Sequence, residues 1–326
     1  MRETPLEGPG WARELPGYAR EVLAGLTGRP RRLPAHLLYD ARGSELFEHI
    51  TRLPEYYLTR TELRLLEAHA AEVAALCGAP PTVVELGAGT ATKTRVVLEA
   101  VRAARGPGAG PLTFHPLDVS ADALALAASR LGGRGVEVRP LVGRYEDCLP
   151  LLRTLPGPRL VLFIGSSVGN LEPAAAVALL SQVREALAPG DALLLGADLR
   201  KEPSVLLPAY DDAAGVTAAF EKNVLLRLNR DLGADFEPDA FTYRATWNAE
   251  ESCVEMGLES RRAQRVRLPA LGLELQLQAG ERIATERSYK WSRQAQLRLL
   301  SRAGLQPERL YSDARRWYAL HLARVP

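Results

Sequence analysis

The residues best suited to chemistry lie at a glycine-rich turn, Val83-Val84-Glu85-Leu86-Gly87-Ala88-Gly89-Thr90, where a β-branched run ends in glycines. Glycine accepts positive φ and lets a backbone approach a ligand closely, so a strand-to-helix turn of this kind suits a nucleotide-like cofactor. A dinucleotide site wants G-x-G-x-x-G, with the pyrophosphate on the helix N-terminus. Position 92 is threonine, so the third glycine is missing. S-Adenosylmethionine has no phosphate and does not need it. Asp118, at the end of the next apolar run, LTFHPLDV, can accept from both hydroxyls of a ribose, which serves either cofactor. On the loop alone, a methyltransferase stands ahead of an NAD-dependent oxidoreductase. A ligand-free turn, with Asp118 capping the following helix, stays open.

Other chemistries find less support. The five histidines (His36, His49, His69, His115, His321) show no H-x-x-x-H spacing, and Cys77, Cys148 and Cys253 form no C-x-x-C pair. No metal is expected. GSSVGN lacks the G-x-S-x-G elbow of serine hydrolases. A DNA amino-methyltransferase would place an Asn-Pro-Pro-aromatic run where this chain reads GSSVGNL. Asp211-Asp212 reads as helix capping before it reads as a metal or acid–base pair.

The elements that must position these residues alternate. An amphipathic stretch from about Thr61 puts Leu63, Leu66, Ala70, Val73 and Cys77 on one helical face. Then follow TVVEL as a strand, TKTRVVLEAVRAAR as a helix, LTFHPLDV as a strand, and SADALALAASRL as a helix with Ser120 at its N-cap. VEVRPLV, RLVLFIGS and DALLLGADL read as buried strands, with PAAAVALLSQVREALA a helix between the last two. Strands alternating with helices predict an α/β fold with a parallel, doubly wound sheet. SRQAQLRLLSRAG is a helix capped by Ser292 and stopped by Gly304, and RRWYALHLAR a last strand. GPGAGP at 106–111 is a loop. Between about 201 and 286 the rhythm breaks. DDAAGVTAAFEKNVLLRLNRDLG is a long helix capped by Asp211 or Asp212, and CVEMGLES, RAQRVRL and LELQLQ look like a β-meander. The domains expected are residues 61–200 with 287–326, an insert at 201–286, and an N-terminal segment, 1–60, that packs with the insert as a second lobe.

The chain of 326 residues, 47% hydrophobic and 25% charged, can bury a full core. Its balance of 41 Lys+Arg against 39 Asp+Glu, net +2, speaks against a nucleic-acid or membrane-surface partner. Three sparse cysteines fit a reducing compartment. The opening MRETPLEGPGWARELPG has no signal pattern, and no apolar run reaches the roughly 20 residues of a membrane span. A cytoplasmic, soluble monomer is expected.

Leu38-Tyr39-Asp40-x-x-Gly43-Ser44-x-Leu46-Phe47, followed by Ile50-Thr51-x-Leu53-Pro54-Glu55-Tyr56-Tyr57-x-Thr59-Arg60-x-Glu62, resembles the N-terminal signature of the histidine-specific Nα-methyltransferases. The similarity continues in order through VELGAGTATKTR, PLDVS, FIGSSVGNL, GADLRK, AYDDAAGVTAAFEKNVLLRLNRDLGADF, VEMGLES and ERIATERSYKWS. It spans almost the whole chain, insert and N-terminal segment included. The resemblance implies a Rossmann-like S-adenosylmethionine methyltransferase sheet with a second lobe formed by the insert plus the N-terminal segment. It implies three successive methyl transfers to the α-amino group of L-histidine, giving hercynine, the first step of ergothioneine biosynthesis. It implies cofactor contacts at Gly87, Lys93, Asp118 and the pair Arg144-Tyr145, where relatives usually carry an Asp-Phe-like pair. It further implies Asn170 and Tyr210 at the amino and carboxylate end, with Tyr39 a weaker candidate there, and Tyr56, Glu286 and Ser288 at the imidazole.

These residue types make chemical sense. Methyl transfer from a sulfonium is an in-line displacement, and well-oriented groups reach effective molarities of ~10⁵ M or more. The nitrogen needs its lone pair, and burial beside a cation lowers an amine's pKa. Neutral Asn and Tyr partners agree with that, because a carboxylate there would favour the unreactive ammonium. Glu286 and Ser288 suit the two unlike nitrogens of imidazole, and two residues apart on a strand they share a face. Tyrosine faces tolerate the growing quaternary cation.

Each residue also has an ordinary reading. Glu286 beside Arg282 and Arg287 resembles a surface ion pair. Tyr56 and Tyr57 could be core aromatics, and Asn170 a turn residue. Three alternatives stand beside the histidine enzyme: the same enzyme acting on another amino acid or small amine such as tryptophan, an NAD-dependent oxidoreductase, and a non-catalytic binding module. An apolar residue at 286 would have favoured the first of these.

Overall fold

The computed structural model describes residues 17–78, 81–106, 108–133 and 135–326. Most of the opening segment and Pro107 of the GPGAGP loop lie outside the described residues. Two compact units are formed: Tyr56–Glu202 with Ser288–Pro326, and Met1–Glu55 with Pro203–Arg287, the latter described from Gly17 onward.

The first unit is built on an eight-stranded sheet. Its order is Gln306–Ser312, Tyr318–Arg324, Ala192–Asp198, Arg159–Phe163, Thr82–Leu86, Leu112–Asp118, Val136–Val138, with Leu141–Val142 also pairing Leu112–Asp118. The inner strands pair in parallel, as expected from their alternation with helices; Tyr318–Arg324 runs antiparallel to Ala192–Asp198 and to Gln306–Ser312. The central strands are buried along their whole length, which is why they read as unbroken apolar runs rather than alternating ones. Val83, Phe114, Leu160, Leu162, Leu194 and Leu320 meet Leu66, Val73, Val97 and Val101 from two helices, Tyr57–Leu76 and Thr94–Ala104, in one core. Each fully buried aliphatic side chain there contributes about 1.5–3 kcal/mol. Of the helical face read from sequence, Leu66, Ala70, Val73 and Cys77 are buried, while Leu63 is half-buried and the acid Glu62 is fully buried.

The caps behave as expected. Ser120 accepts from the Ala123 amide at 3.2 Å and Ser292 from that of Ala295 at 3.1 Å; Gly304 takes φ +76° after the last helix.

The second unit departs from the sequence reading in one respect. Cys253–Ser260 does not continue into a meander with the two segments after it. It pairs with Phe241–Asn248 in a four-stranded sheet ordered Arg31–Arg32, Arg282–Tyr289, Cys253–Ser260, Phe241–Asn248. Gln264–Leu268 and Leu273–Leu277 form a separate hairpin. Alternation specifies which face of a strand is buried but not which strand it pairs with. Arg31, fully buried, donates to Glu281 at 2.8 Å and so fixes the parallel edge strand.

The long helix runs Val216–Leu232, starting later than Asp211-Asp212, because Gly215 at φ +75° turns the chain into it. Asp212 still satisfies the helix start: its carboxylate accepts from the Val216 amide at 2.9 Å and the Thr217 amide at 2.7 Å. These bonds hold its pKa below the ordinary carboxyl range despite desolvation. No helix among the described residues is long and apolar enough to cross a membrane. Replacing Asp212 by alanine removes both cap bonds and should cost about 1 kcal/mol of stability. Denaturant unfolding would show this as a lower midpoint at unchanged slope; an unmoved midpoint would contradict the capping role.

Candidate active site

The sheet reverses direction of growth at Thr82–Leu86: the chain passes to Leu112–Asp118 on one side and later to Arg159–Phe163 on the other. Ligands of open α/β sheets bind beyond the strand carboxyl ends at such a point. Here the glycine turn stands. Gly87 and Gly89 take φ +68° and +50°, and the amides of Gly87 and Ala88 both donate to the Leu117 carbonyl. Asp118 accepts from the Gly89 amide on one oxygen (2.8 Å) and from the Ser120 amide on the other (2.9 Å). A carboxylate has about four acceptor positions, so capacity for two ribose hydroxyls remains. A Cβ on Gly87 would come within 2.8 Å of the Tyr145 hydroxyl, so the gap between turn and ring exists only because residue 87 is glycine. Tyr145 itself stands edge-on to Phe163, centroids 5.9 Å apart. Arg144 is exposed at the start of the short helix Tyr145–Cys148.

Lys93 is held at the same end of the sheet. Its ammonium pairs with Glu62, which is fully buried. Glu62 also accepts from the Gly165 amide through both oxygens, at 2.8 and 3.0 Å, and from the Tyr318 hydroxyl at 2.6 Å. A Cβ on Gly165 would lie 3.2 Å from the lysine nitrogen. A cation so fixed suits the carboxylate of the methionine moiety, and the ribose partner Asp118 lies across the same turn. Cradle and donor set therefore fit S-adenosylmethionine. Glu85, at the end of the central strand, is buried and accepts from the Thr94 hydroxyl. Burial pushes its carboxyl up to about 8.

The loop after Arg159–Phe163 supplies Asn170. Ser166 takes the left-handed conformation, φ +60°, rare for a side-chain-bearing residue, and its hydroxyl accepts from the Asp198 amide at 3.0 Å. The turn Ser167–Asn170 follows, with Asn170 exposed at its end. A Cβ on Gly169 would lie 3.6 Å from the Ser288 hydroxyl oxygen, so Ser288 borders this loop. Ser288 is buried and accepts from Lys290 at 2.8 Å. Lys290 in turn pairs with the buried Asp198, which also holds Lys201 and the Tyr57 hydroxyl. Burial pulls the Lys201 ammonium down to about 8 against the pull of Asp198. Tyr56 is buried just before the helix Tyr57–Leu76, its carbonyl accepting from Arg60 at 3.2 Å.

The remaining sequence-chosen residues belong to the other unit. Tyr39 packs edge-on against Phe47 and Phe220, centroids 5.6 and 5.4 Å away. Tyr210 is buried, and its carbonyl accepts from the Tyr243 hydroxyl. Glu286 is half-buried in the strand Arg282–Tyr289. With burial and Glu221, it helps hold the Tyr243 phenol well above its usual pKa. Glu221 is itself buried, its carboxyl pushed up to about 7 by desolvation.

Sequence reading singled out neither the Glu62 hub nor the Asp198–Lys201–Lys290 cluster. The available signal for Glu62 was an acid one step from an apolar helical face. For the cluster it was the lysines in GADLRK and SYKWS. Among the described residues no group of three or more His, Cys, Asp and Glu could hold a metal ion. His321 is buried against Gln296 at 2.7 Å, and all three cysteines are free and buried.

A family model described as "Histidine-specific methyltransferase, SAM-dependent" matches residues 18–325. The chain is 46% identical over 306 residues to the histidine N-alpha-methyltransferase of Mycolicibacterium smegmatis, covering 93% of this chain and 94% of that one. It is 44% identical over 307 residues to the protein of the same name from Mycobacterium tuberculosis, with 93% and 94% covered. To ergothioneine biosynthesis protein 1 of Neurospora crassa it is 31% identical over 303 residues, which is 90% of this chain and 33% of that one.

Glu85 generates a pH prediction. A buried carboxyl that keeps its proton to about pH 8 binds more protons folded than unfolded, so its contribution to stability falls as pH rises from the ordinary range near 4.5 to about 8, then levels. Glu85→Gln should flatten that decline in thermal unfolding profiles while keeping the Thr94 bond. Parallel profiles for the two proteins would mean that Glu85 is ionised in the fold.

Proposed function

The chain belongs to the histidine-specific, S-adenosylmethionine-dependent methyltransferases, and we propose that it trimethylates the α-amino group of free L-histidine to hercynine, opening ergothioneine biosynthesis. The observation that favours histidine over another amino acid is the pair Glu286-x-Ser288: a carboxylate to accept from a ring N–H, and a hydroxyl for the other nitrogen.

The donor, when bound, supplies a sulfonium methyl that leaves as the amine lone pair attacks it in line. This chain's residues do the rest by holding and orienting. Gly87 admits the cofactor to the turn, Asp118 takes the ribose hydroxyls, Lys93 takes the donor carboxylate, and Tyr145 closes over the turn with Arg144 beside it. Asn170 and Tyr210 hold the amino and carboxylate end of histidine, with Tyr39 near the amine; Tyr56, Glu286 and Ser288 hold the ring. All the partners given to the amine are neutral, so nothing in the set stabilises the ammonium over the reactive amine. No base is needed beyond solvent, because an amine brought next to a cation in a buried site gives up its proton more readily. Two polar groups built for the ring's two nitrogens reject analogues that lack them, by ~10⁴ in favourable cases.

On this reading residues 61–200 and 287–326 bind the donor and add Asn170 and Ser288 to the acceptor side, while 201–286 with the first sixty residues supply the rest of histidine recognition. The protein acts as a monomer in the cytoplasm on a free amino acid, without nucleic acid or membrane. A net charge of +2 and three buried free cysteines are in keeping with that. Glu286→Ala should lower kcat/KM for histidine by about a hundredfold, the scale of a lost charge-assisted hydrogen bond in a buried site. S-Adenosylmethionine affinity by calorimetry should stay within about twofold on the same reasoning. Unchanged histidine turnover in that variant would remove Glu286 from the ring site.

A further inference from the structure

We infer that Tyr243 is a positioning residue of the acceptor site: its hydroxyl, donating to the Tyr210 carbonyl, sets where the Tyr210 side chain meets the substrate. This assignment rests on the histidine reading above, which gives Tyr210 the amino and carboxylate end, and it deepens that reading by one residue.

Residues 207–215 belong to no strand, so individual bonds must set their backbone. Several of these are local. The Tyr210 and Asp211 amides both donate to the Leu207 carbonyl at 2.9 Å, and the Gly215 amide donates to the Asp212 carbonyl at 3.0 Å. Asp212 ties the far end of the segment to the helix Val216–Leu232 through two amides. Such bonds fix the curl of the chain, but they do not register the turn against the sheet. The Tyr243 hydroxyl adds that register. It reaches across 33 residues of sequence and donates to the Tyr210 carbonyl at 2.5 Å, with both side chains buried. That distance is at the short end for an O–H···O bond.

The donor's own end is rigid. Tyr243 lies in the strand Phe241–Asn248, opposite Leu258, in a ladder that pairs all eight positions with Cys253–Ser260. An aromatic ring turns about few torsions, so a phenol anchored in that ladder holds the carbonyl at a set height. Burial and the charges of Glu221, Asp211 and Glu286, with Tyr210, keep the phenol protonated by raising its pKa well above the usual value. Glu286, given to the imidazole, therefore acts on the same phenol that holds Tyr210, and the two ends of the acceptor site share one neighbour. Loss of the hydroxyl takes a donor from a buried carbonyl and releases the turn that carries Tyr210.

Steady-state kinetics of Tyr243→Phe, Tyr210→Phe and the double variant test this, with histidine as acceptor and release of S-adenosylhomocysteine as the signal. Tyr243→Phe should raise KM for histidine about tenfold, the scale of one lost buried hydrogen bond. Its kcat and its KM for S-adenosylmethionine should stay within about twofold, as they do when only acceptor binding is lost. A merely structural loss would shrink the active fraction, lowering kcat with both KM values unmoved. In the Tyr210→Phe background the same substitution should change KM for histidine by less than about twofold, because residues that act as a unit are not additive. Equal effects in the two backgrounds, or a fall in kcat alone, overturn the inference and leave Tyr243 with a packing role. If Tyr243→Phe does not fold, Tyr243→His keeps a ring and an N–H donor and serves in the same cycle, with about threefold expected in place of tenfold. Additive effects there overturn the inference equally. A Tyr210→Phe variant with the parent's KM for histidine would instead refute the acceptor role of Tyr210, and with it the reading beneath this inference.

Discussion

The donor side of the structure depends on one buried carboxylate. Glu62 is fully buried, and an ion taken out of water must recover several kcal/mol from its new partners. It does so through Lys93, the Gly165 amide and the Tyr318 hydroxyl. Those partners come from the start of the helix after the glycine turn, from the loop after Arg159–Phe163, and from the antiparallel strand Tyr318–Arg324. Glu62 itself rides on the helix Tyr57–Leu76. Four elements are thereby registered on two oxygen atoms, and the Lys93 cation is fixed at the switch point of the sheet. Gly196 belongs to the same arrangement, since any side chain there would strike the Glu62 carboxylate and the Tyr318 hydroxyl.

The same economy of charge extends along the carboxyl ends of the sheet. Asp118 spends one bond per oxygen on backbone amides and keeps acceptor capacity for a ligand. Asp198 gathers two lysines and a tyrosine. The ionised groups are thus pinned by protein partners, and the residues proposed to face the reacting amine are uncharged. This division suits a reaction whose donor is already cationic and whose acceptor must give up a proton before it reacts.

Much of this was legible in the sequence. The parallel strands announce themselves because burial on both faces makes them continuous apolar runs, and Gly87, Gly89 and Asp118 mark the turn by type and spacing alone. Gln306–Ser312 is not legible because it is a mostly half-buried edge strand of chiefly polar residues containing Pro307, so it shows no apolar pattern. Phe241–Asn248 was missed for a similar reason, its second half being mostly exposed or half-buried. The supposed meander failed because alternation carries no information about partners. Glu62, Lys201 and Lys290 were illegible for a deeper reason. An isolated charge in a sequence reads as a solvated one, and only tertiary pairing between residues as distant as 62 and 318, or 198 and 290, makes its burial affordable.

The measurement that tests the account most directly is an incubation of the purified protein with S-adenosylmethionine and an equimolar mixture of the common amino acids, read by mass spectrometry. Trimethylated histidine should be the dominant product, with methylation of no other amino acid approaching it. Methylation of a different amino acid would contradict the assignment of Glu286 and Ser288 to an imidazole. Absence of any methylated product would contradict the function itself.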